Sequence, residues 1–224
     1  SLSACGGGAS SSRVGPPGTS LYSEAVYTDS QLAPSLDLVY SVRPNEGGEQ
    51  YTSDLRAASE LGSDTLNLHL DVWVPPDATA TKPQPLIVWI HGGDFLAGSK
   101  EEVRDKALTY ARAGYVVASV DYRLTPRNTL SAALRERAVL QAAEDVSNAI
   151  RYLRQNAATY HIDTTRVATI GTSAGGALSL AVALDADTLP GIVSDYPGQT
   201  ARSQASVSTG ATVFDAYYDS SSAL

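Results

Sequence analysis

The sequence predicts an α/β fold, a doubly wound and mostly parallel sheet with helices on both faces. Three observations carry that prediction. Leu86 to Ile90 and Tyr115 to Val120 are short runs that are apolar on both faces, as strands covered from two sides are. Stretches of helical period lie between and after them, so strand and helix alternate, which implies right-handed crossovers. The chain has 224 residues, 43% hydrophobic and 18% charged, which is enough for one domain with a substantial core.

The elements follow in chain order. Residues 1–20 (SLSACGGGASSSRVGPPGTS) are dominated by Gly, Ser and Pro and read as a flexible tether, leaving 21–224 as the folded domain. Residues 36–43 form a weaker strand candidate. Leu66, Leu68, Leu70, Val72 and Val74 alternate strictly, so 66–74 reads as a half-buried strand that Pro75-Pro76 ends. The intervening stretch contains Gly47-Gly48 and reads as a hairpin or loop, with the two strands antiparallel. After the strand at 86–90, a helix is expected with Ser99 as its cap and Glu102 as capping-box partner. Gly114 supplies the left-handed residue that closes this helix before the strand at 115–120.

A longer helix is predicted over 132–158. Val139, Ala143, Val146, Ile150, Leu153 and Ala157 make its apolar stripe, with Arg135, Glu136, Glu144, Arg151 and Arg154 on the solvent side. A strand at 166–170, a helix at 174–186 and one more strand within Gln204 to Ala211 complete the alternation; Val213 to Leu224 reads as irregular. No internal repeat is visible.

Composition excludes several classes. The net charge is -8 and no Lys/Arg cluster exists, which argues against a nucleic-acid partner. No run of eighteen apolar residues exists, so no membrane-spanning helix is expected. Cys5 is the single cysteine, so there is no internal disulfide and no cysteine metal cage. Three scattered histidines make no ligand set, so no metal site is expected. The Gly-rich stretches lack a phosphate-loop Lys and a G-x-G-x-x-G pattern, so no organic cofactor is expected either. Nothing in the sequence sets the oligomeric state. Leu2-Ser3-Ala4-Cys5 resembles the end of a bacterial lipoprotein signal peptide. That implies a lipid anchor at Cys5 and an exported protein, lipid-anchored at the cell envelope or secreted.

Gly171-Thr172-Ser173-Ala174-Gly175 is a G-x-S-x-G site between a predicted strand and a predicted helix. A sharp turn there projects the serine hydroxyl beyond the carboxyl ends of the strands. The following helix aims its free N–H groups at any oxyanion that develops. Gly171 and Gly175 fit because side chains there would collide as strand and helix approach. His91-Gly92-Gly93-Asp94-Phe95 follows directly on the strand at 86–90. Two glycines after a parallel strand leave backbone N–H groups uncovered and able to donate to a substrate carbonyl.

IHGGDFLAGS, DYRLTP and GTSAGG, in this order and spacing, resemble the carboxylesterase and hormone-sensitive-lipase-like branches of the α/β-hydrolase superfamily. The likeness runs from about residue 66 to about residue 210. It implies an α/β-hydrolase-type sheet with Ser173 as nucleophile. The N–H groups of Gly92, Gly93 and Ala174 would form the oxyanion hole, His91 would shape its loop, and Asp121-Tyr122-Arg123 would brace the site. Two departures stand out. Asp94 occupies a position where such families have glycine, and its carboxylate is expected to point away from the site. Thr172 replaces the acidic residue often found before the nucleophile.

A serine nucleophile needs a base within hydrogen-bond reach. His69, His91 and His161 all precede Ser173, and no histidine follows it. His161 falls at the amino end of its strand, His69 lies mid-strand, and His91 reads as loop-shaping. Asp185, Asp187, Asp195, Asp215 and Asp219 are expected to be solvated loop or helix-end carboxylates, and none is assigned as the acid. With no methionine in the sequence, the expectation is a chain trimmed at both ends, its last strands and its Asp and His loops missing. The expected function is serine-dependent hydrolysis of a small-molecule carboxylic ester through an acyl-enzyme, with these 224 residues nearly inactive alone. Feruloyl, acetyl and short aliphatic esters are all open. The alternatives are a serine peptidase on the same fold and a non-catalytic hydrolase-like binding protein.

Overall fold

The computed structural model of the protein describes residues 14, 20–44, 64–124, 132–184, 187–189 and 191–211. The tether with Cys5, the Gly47-Gly48 stretch, Asp185 and residues 213–224 lie outside the described residues. Six strands form one sheet: β1 (Ala33–Pro44), β2 (Thr65–Val74), β3 (Gln84–Ile90), β4 (Val116–Val120), β5 (Ile162–Thr172) and β6 (Ala205–Thr209). Their order is β1-β2-β4-β3-β5-β6. β1 pairs antiparallel with β2, and β2 with β4. β4, β3, β5 and β6 run parallel. The helices are α1 (Arg104–Arg112), α2 (Ala132–Gln155), α3 (Ala157–Tyr160) and α4 (Ala174–Leu184).

The two faces of the sheet carry separate cores. On one, Leu66, Leu68, Leu70 and Val72 of β2 join Val88, Ile90, Val116, Ala118 and Val120 under Val146, Ile150 and Leu153 of α2 and Leu178 and Val182 of α4. On the other, Trp73, Ile87, Trp89, Val117 and Ile170 pack against Ala107 and Ala111 of α1 and against Val26 and Tyr27. Every residue of β4 is buried because α1 and α2 cover it from opposite sides, which is why VVASV carries no alternation. The strict alternation of β2 reflects one continuous aliphatic face. Gly114 has φ +107 and closes the turn after α1 as expected.

Four local expectations are corrected. The capping box at Ser99 does not form. The chain enters α1 through a 3-10 turn at Lys100–Val103, and the Ser99 side chain makes no cap hydrogen bond. Lys100 is drawn into the interior, 2% exposed, with its Nζ 2.8 Å from Asp37, 2.9 Å from Asp71 and 2.6 Å from Glu101. That pull tightens the first turn, and the Glu102 N–H donates to the Ser99 carbonyl at 3.2 Å. The helix predicted over 132–158 breaks at Asn156, whose φ of -101° and ψ of 20° separate α2 from α3. Arg151 and Arg154 are buried instead of solvent-facing. Arg151 pairs with Asp187 at 2.9 Å, and Arg154 donates to the carbonyls of Thr164 on β5 and of Arg202. Glu144 is only partly exposed, 2.7 Å from Arg123 and 3.0 Å from Arg43.

Candidate active site

Ser173 is the single residue between β5 and α4. It is exposed, and its φ is +57°, a left-handed conformation that costs a non-glycine residue about 1–3 kcal/mol. The neighbouring glycines permit so sharp a turn. A Cβ on Gly171 would sit 2.1 Å from the Gly175 carbonyl oxygen, and one on Gly175 would sit 2.2 Å from the Ile90 oxygen. The turn is tied to β6, since the Ser173 N–H donates to the Thr209 carbonyl at 2.8 Å. The Thr172 and Thr209 hydroxyls meet at 2.9 Å, the local hydrogen bond that a threonine makes at this position.

The loop after β3 abuts this turn. A Cβ on Gly92 would lie 2.9 Å from the Thr172 oxygen and 3.5 Å from the Ser173 Cβ. Gly93, Asp94 and Phe95 follow with φ of +112°, +55° and +61°. Three consecutive left-handed residues curl the loop back on itself. The Gly93 carbonyl accepts the N–H groups of Leu96 and Ala97 at 2.9 and 3.1 Å, and Phe95 is buried in the larger core.

His91 begins the loop and is fully buried. Its ring stacks on Tyr122 with centroids 4.2 Å apart, and its Nδ1 lies 2.7 Å from the Gly92 carbonyl, so that nitrogen carries the proton. Burial pushes the imidazole down to about 4, against the opposing hydrogen bond to Gly92, so the ring is neutral near pH 7. The Tyr122 hydroxyl donates to the His91 and Gly92 carbonyls at 3.0 and 3.2 Å. Asp121 accepts the Lys100 N–H at 2.7 Å at the loop's far end. Burial raises the Asp121 carboxyl to about 7. Arg123 is locked to Asp145, with Nε 2.8 Å from Oδ2. The Asp121-Tyr122-Arg123 segment therefore grips both ends of the loop.

Asp94 borders the site. It lines one cavity of about 190 Å³ with Ser173, Phe95, Arg135, Ala174, Ala177 and Gly210. Its backbone is left-handed, and Arg135 Nη1 meets its carboxylate at 3.2 Å. Arg135 is exposed as expected, yet sequence reasoning did not bring it to this site. No local signal could have done so, since 41 residues separate the pair.

None of the histidines reaches the serine as a base. His69 lies on β2, its Nδ1 3.2 Å from the Asp37 carbonyl. His161 precedes β5 and Ser173 follows it, so the stretch Val167–Thr172 alone puts about 20 Å between them. Asp187 and Asp195 are not simply solvated. Asp187 is held by Arg151 and by the Ala201 N–H, and Asp195 by Arg43 at 2.9 Å and the Ser41 hydroxyl at 2.6 Å. Among the described residues no group of three His, Cys, Asp or Glu could hold a metal ion, and no helix is long and apolar enough to cross a membrane.

A mixed sheet of this order, helices on both faces and an exposed left-handed serine at a strand-to-helix turn define an α/β-hydrolase-type fold. The profile of the BD-FAE family matches residues 70–218, and the chain belongs to that family. Carboxylesterase 3B of Mus musculus is 36% identical over 109 residues, 49% of this chain and 19% of its own length. Non-reducing polyketide synthase pkbA of Emericella nidulans is 26% identical over 159 residues, 67% of this chain and 6% of its own. The butyrate-bound structure of esterase 2 from Thermogutta terrifontis shares the fold with a TM-score of 0.55 at 23% identity, over 74% of this chain and 54% of that one. The chain thus spans about half of that esterase and a fifth or less of these two curated relatives.

Proposed function

We propose that the chain belongs to a serine-dependent carboxylic ester hydrolase and supplies its nucleophile. The observation that supports this most is the exposed, left-handed Ser173 with the Gly92 backbone packed against its turn. Strain at one solvent-facing hydroxyl, beside a loop of left-handed residues, is what an acyl-transfer site requires and a packing role does not.

In this reading the Ser173 Oγ attacks the ester carbonyl carbon while a base takes its proton. The carbonyl oxygen becomes an oxyanion and is stabilised by the N–H groups of Gly92, Gly93 and Ala174. Collapse expels the alcohol, which takes a proton, and leaves an acyl-Ser173. Water then releases the acid by the same steps. His91 shapes the loop as a neutral, stacked ring. His91 as a stacked loop residue, His69 on β2 and His161 at the amino end of β5 support a base other than these three, and in this reading residues 1–224 alone turn over esters slowly. Loss of the base from such a site costs on the order of a millionfold in rate, while a residue of about 10³- to 10⁴-fold over water remains from the oxyanion hole and binding.

One observation favours a second reading, a hydrolase-like binding protein: no histidine meets Ser173. A neutral fluorophosphonate probe separates the two. With added imidazole as an external base, the Ser173 Oγ–P bond forms, fluoride leaves and imidazole takes the proton. The expected result is a mass adduct at Ser173 that Ser173→Ala abolishes. A folded protein that stays unmodified at Ser173, with or without imidazole, would favour the binder.

A further inference from the structure

We propose that Arg135 is a positioning residue that keeps the Asp94 carboxylate neutralised beside Ser173, so that the cleft accepts a negatively charged intermediate. The inference rests on the reading of Ser173 as nucleophile. Asp94 directly follows Gly93 and lines the same cavity of about 190 Å³ as Ser173. A cleft of that volume is about 7 Å across, a range at which a partly solvated unit charge still acts on the serine. A bare carboxylate there would oppose the oxyanion. The Arg135 guanidinium lies 3.2 Å from the carboxylate, in a residue that lines the same cavity, and cancels its charge.

The pair is not there to hold the fold. Its side chains are 58% and 44% exposed, and an ion pair that open adds little stability. The loop is held by other contacts: Phe95 in the core, the Gly93 carbonyl with its two donors, and the Tyr122 hydroxyl. Removing Arg135 therefore leaves the loop in place and uncovers a negative charge. Its function is electrostatic, and the feature that creates the need for it is an aspartate where a glycine would carry no charge.

The test is the second-order rate at which a neutral fluorophosphonate phosphonylates Ser173 in the 224-residue protein, with imidazole present and at low salt. Arg135→Ala is expected to slow labelling roughly three- to thirtyfold. Adding Asp94→Asn to that variant restores the wild-type rate, and Arg135→Lys retains most of it. The Arg135→Ala deficit shrinks as salt approaches about 1 M, where screening acts within about 3 Å. A structural role would show neither the restoration nor the salt response. Equal rates for Arg135→Ala and wild type, or a deficit that Asp94→Asn leaves in place, overturn this inference alone. No labelling of Ser173 in any of the proteins overturns the nucleophile reading and this inference with it.

Discussion

At the residue scale, single atoms decide whether the turn at Ser173 exists. The collision distances at Gly171 and Gly175 fall on backbone oxygens of fixed segments, so neither neighbour can give way cheaply. Gly175→Ala is expected to destabilise the protein by about 2–4 kcal/mol, read from urea unfolding midpoints, because β3 and α4 must separate. Asp121 makes a second prediction. Its carboxyl is raised to about 7 by burial, so between about pH 4 and pH 7 the folded state holds a proton that the unfolded state releases. The stability it contributes is full below its ordinary unfolded value and lost as pH rises through 7. His91 acts in the opposite sense within the same window. Its lowered value makes the folded state the poorer proton acceptor below about pH 6.5, so wild-type stability alone conceals both. The measurement is therefore a difference. Relative to wild type, Asp121→Asn should gain stability steadily from pH 4 to 7, by up to about 4 kcal/mol, and then no more. A difference that does not change with pH would refute it. The serine and its glycines were legible in the sequence because they are chain neighbours, and local spacing encodes them. The Asp94–Arg135 pair was not, because only the packing of α2 brings its two halves together.

At the element scale, α2 shows both what periodicity reveals and what it misses. Its apolar stripe lies where the spacing of three and four puts it, with Val146, Ile150 and Leu153 wholly buried. Leu153→Ala should cost about 2–5 kcal/mol by thermal or urea unfolding, through lost transfer energy and the cavity it leaves. Arg135→Ala, on the exposed flank of the same helix, should change stability by less than about 0.5 kcal/mol. Helical period reports only the face toward the sheet. It says nothing of Asp187 and Arg202, which meet Arg151 and Arg154 from the other side. The strands were easier to read. Runs apolar on both faces can only be central, and β3, β4 and the regular half of β5 lie at or beside the centre of the sheet. The break at Asn156 carried no proline or glycine to announce it.

At the scale of the whole molecule, the strand order places two separate segments at one rim. β3 and β5 are neighbours, so the loop after β3 and the turn after β5 meet at their carboxyl ends, where open α/β sheets gather their ligands. The same topology sends His161 to the opposite rim. The arrangement therefore brings the Gly92 backbone against the turn that carries Ser173 and leaves His161 at the far rim. The most direct measurement of this account is the backbone amide spectrum of the phosphonylated protein. The N–H resonances of Gly92, Gly93 and Ala174 should shift strongly on adduct formation, as new donors to the bound oxygen. An adduct at Ser173 that leaves those three amides unmoved would contradict the account.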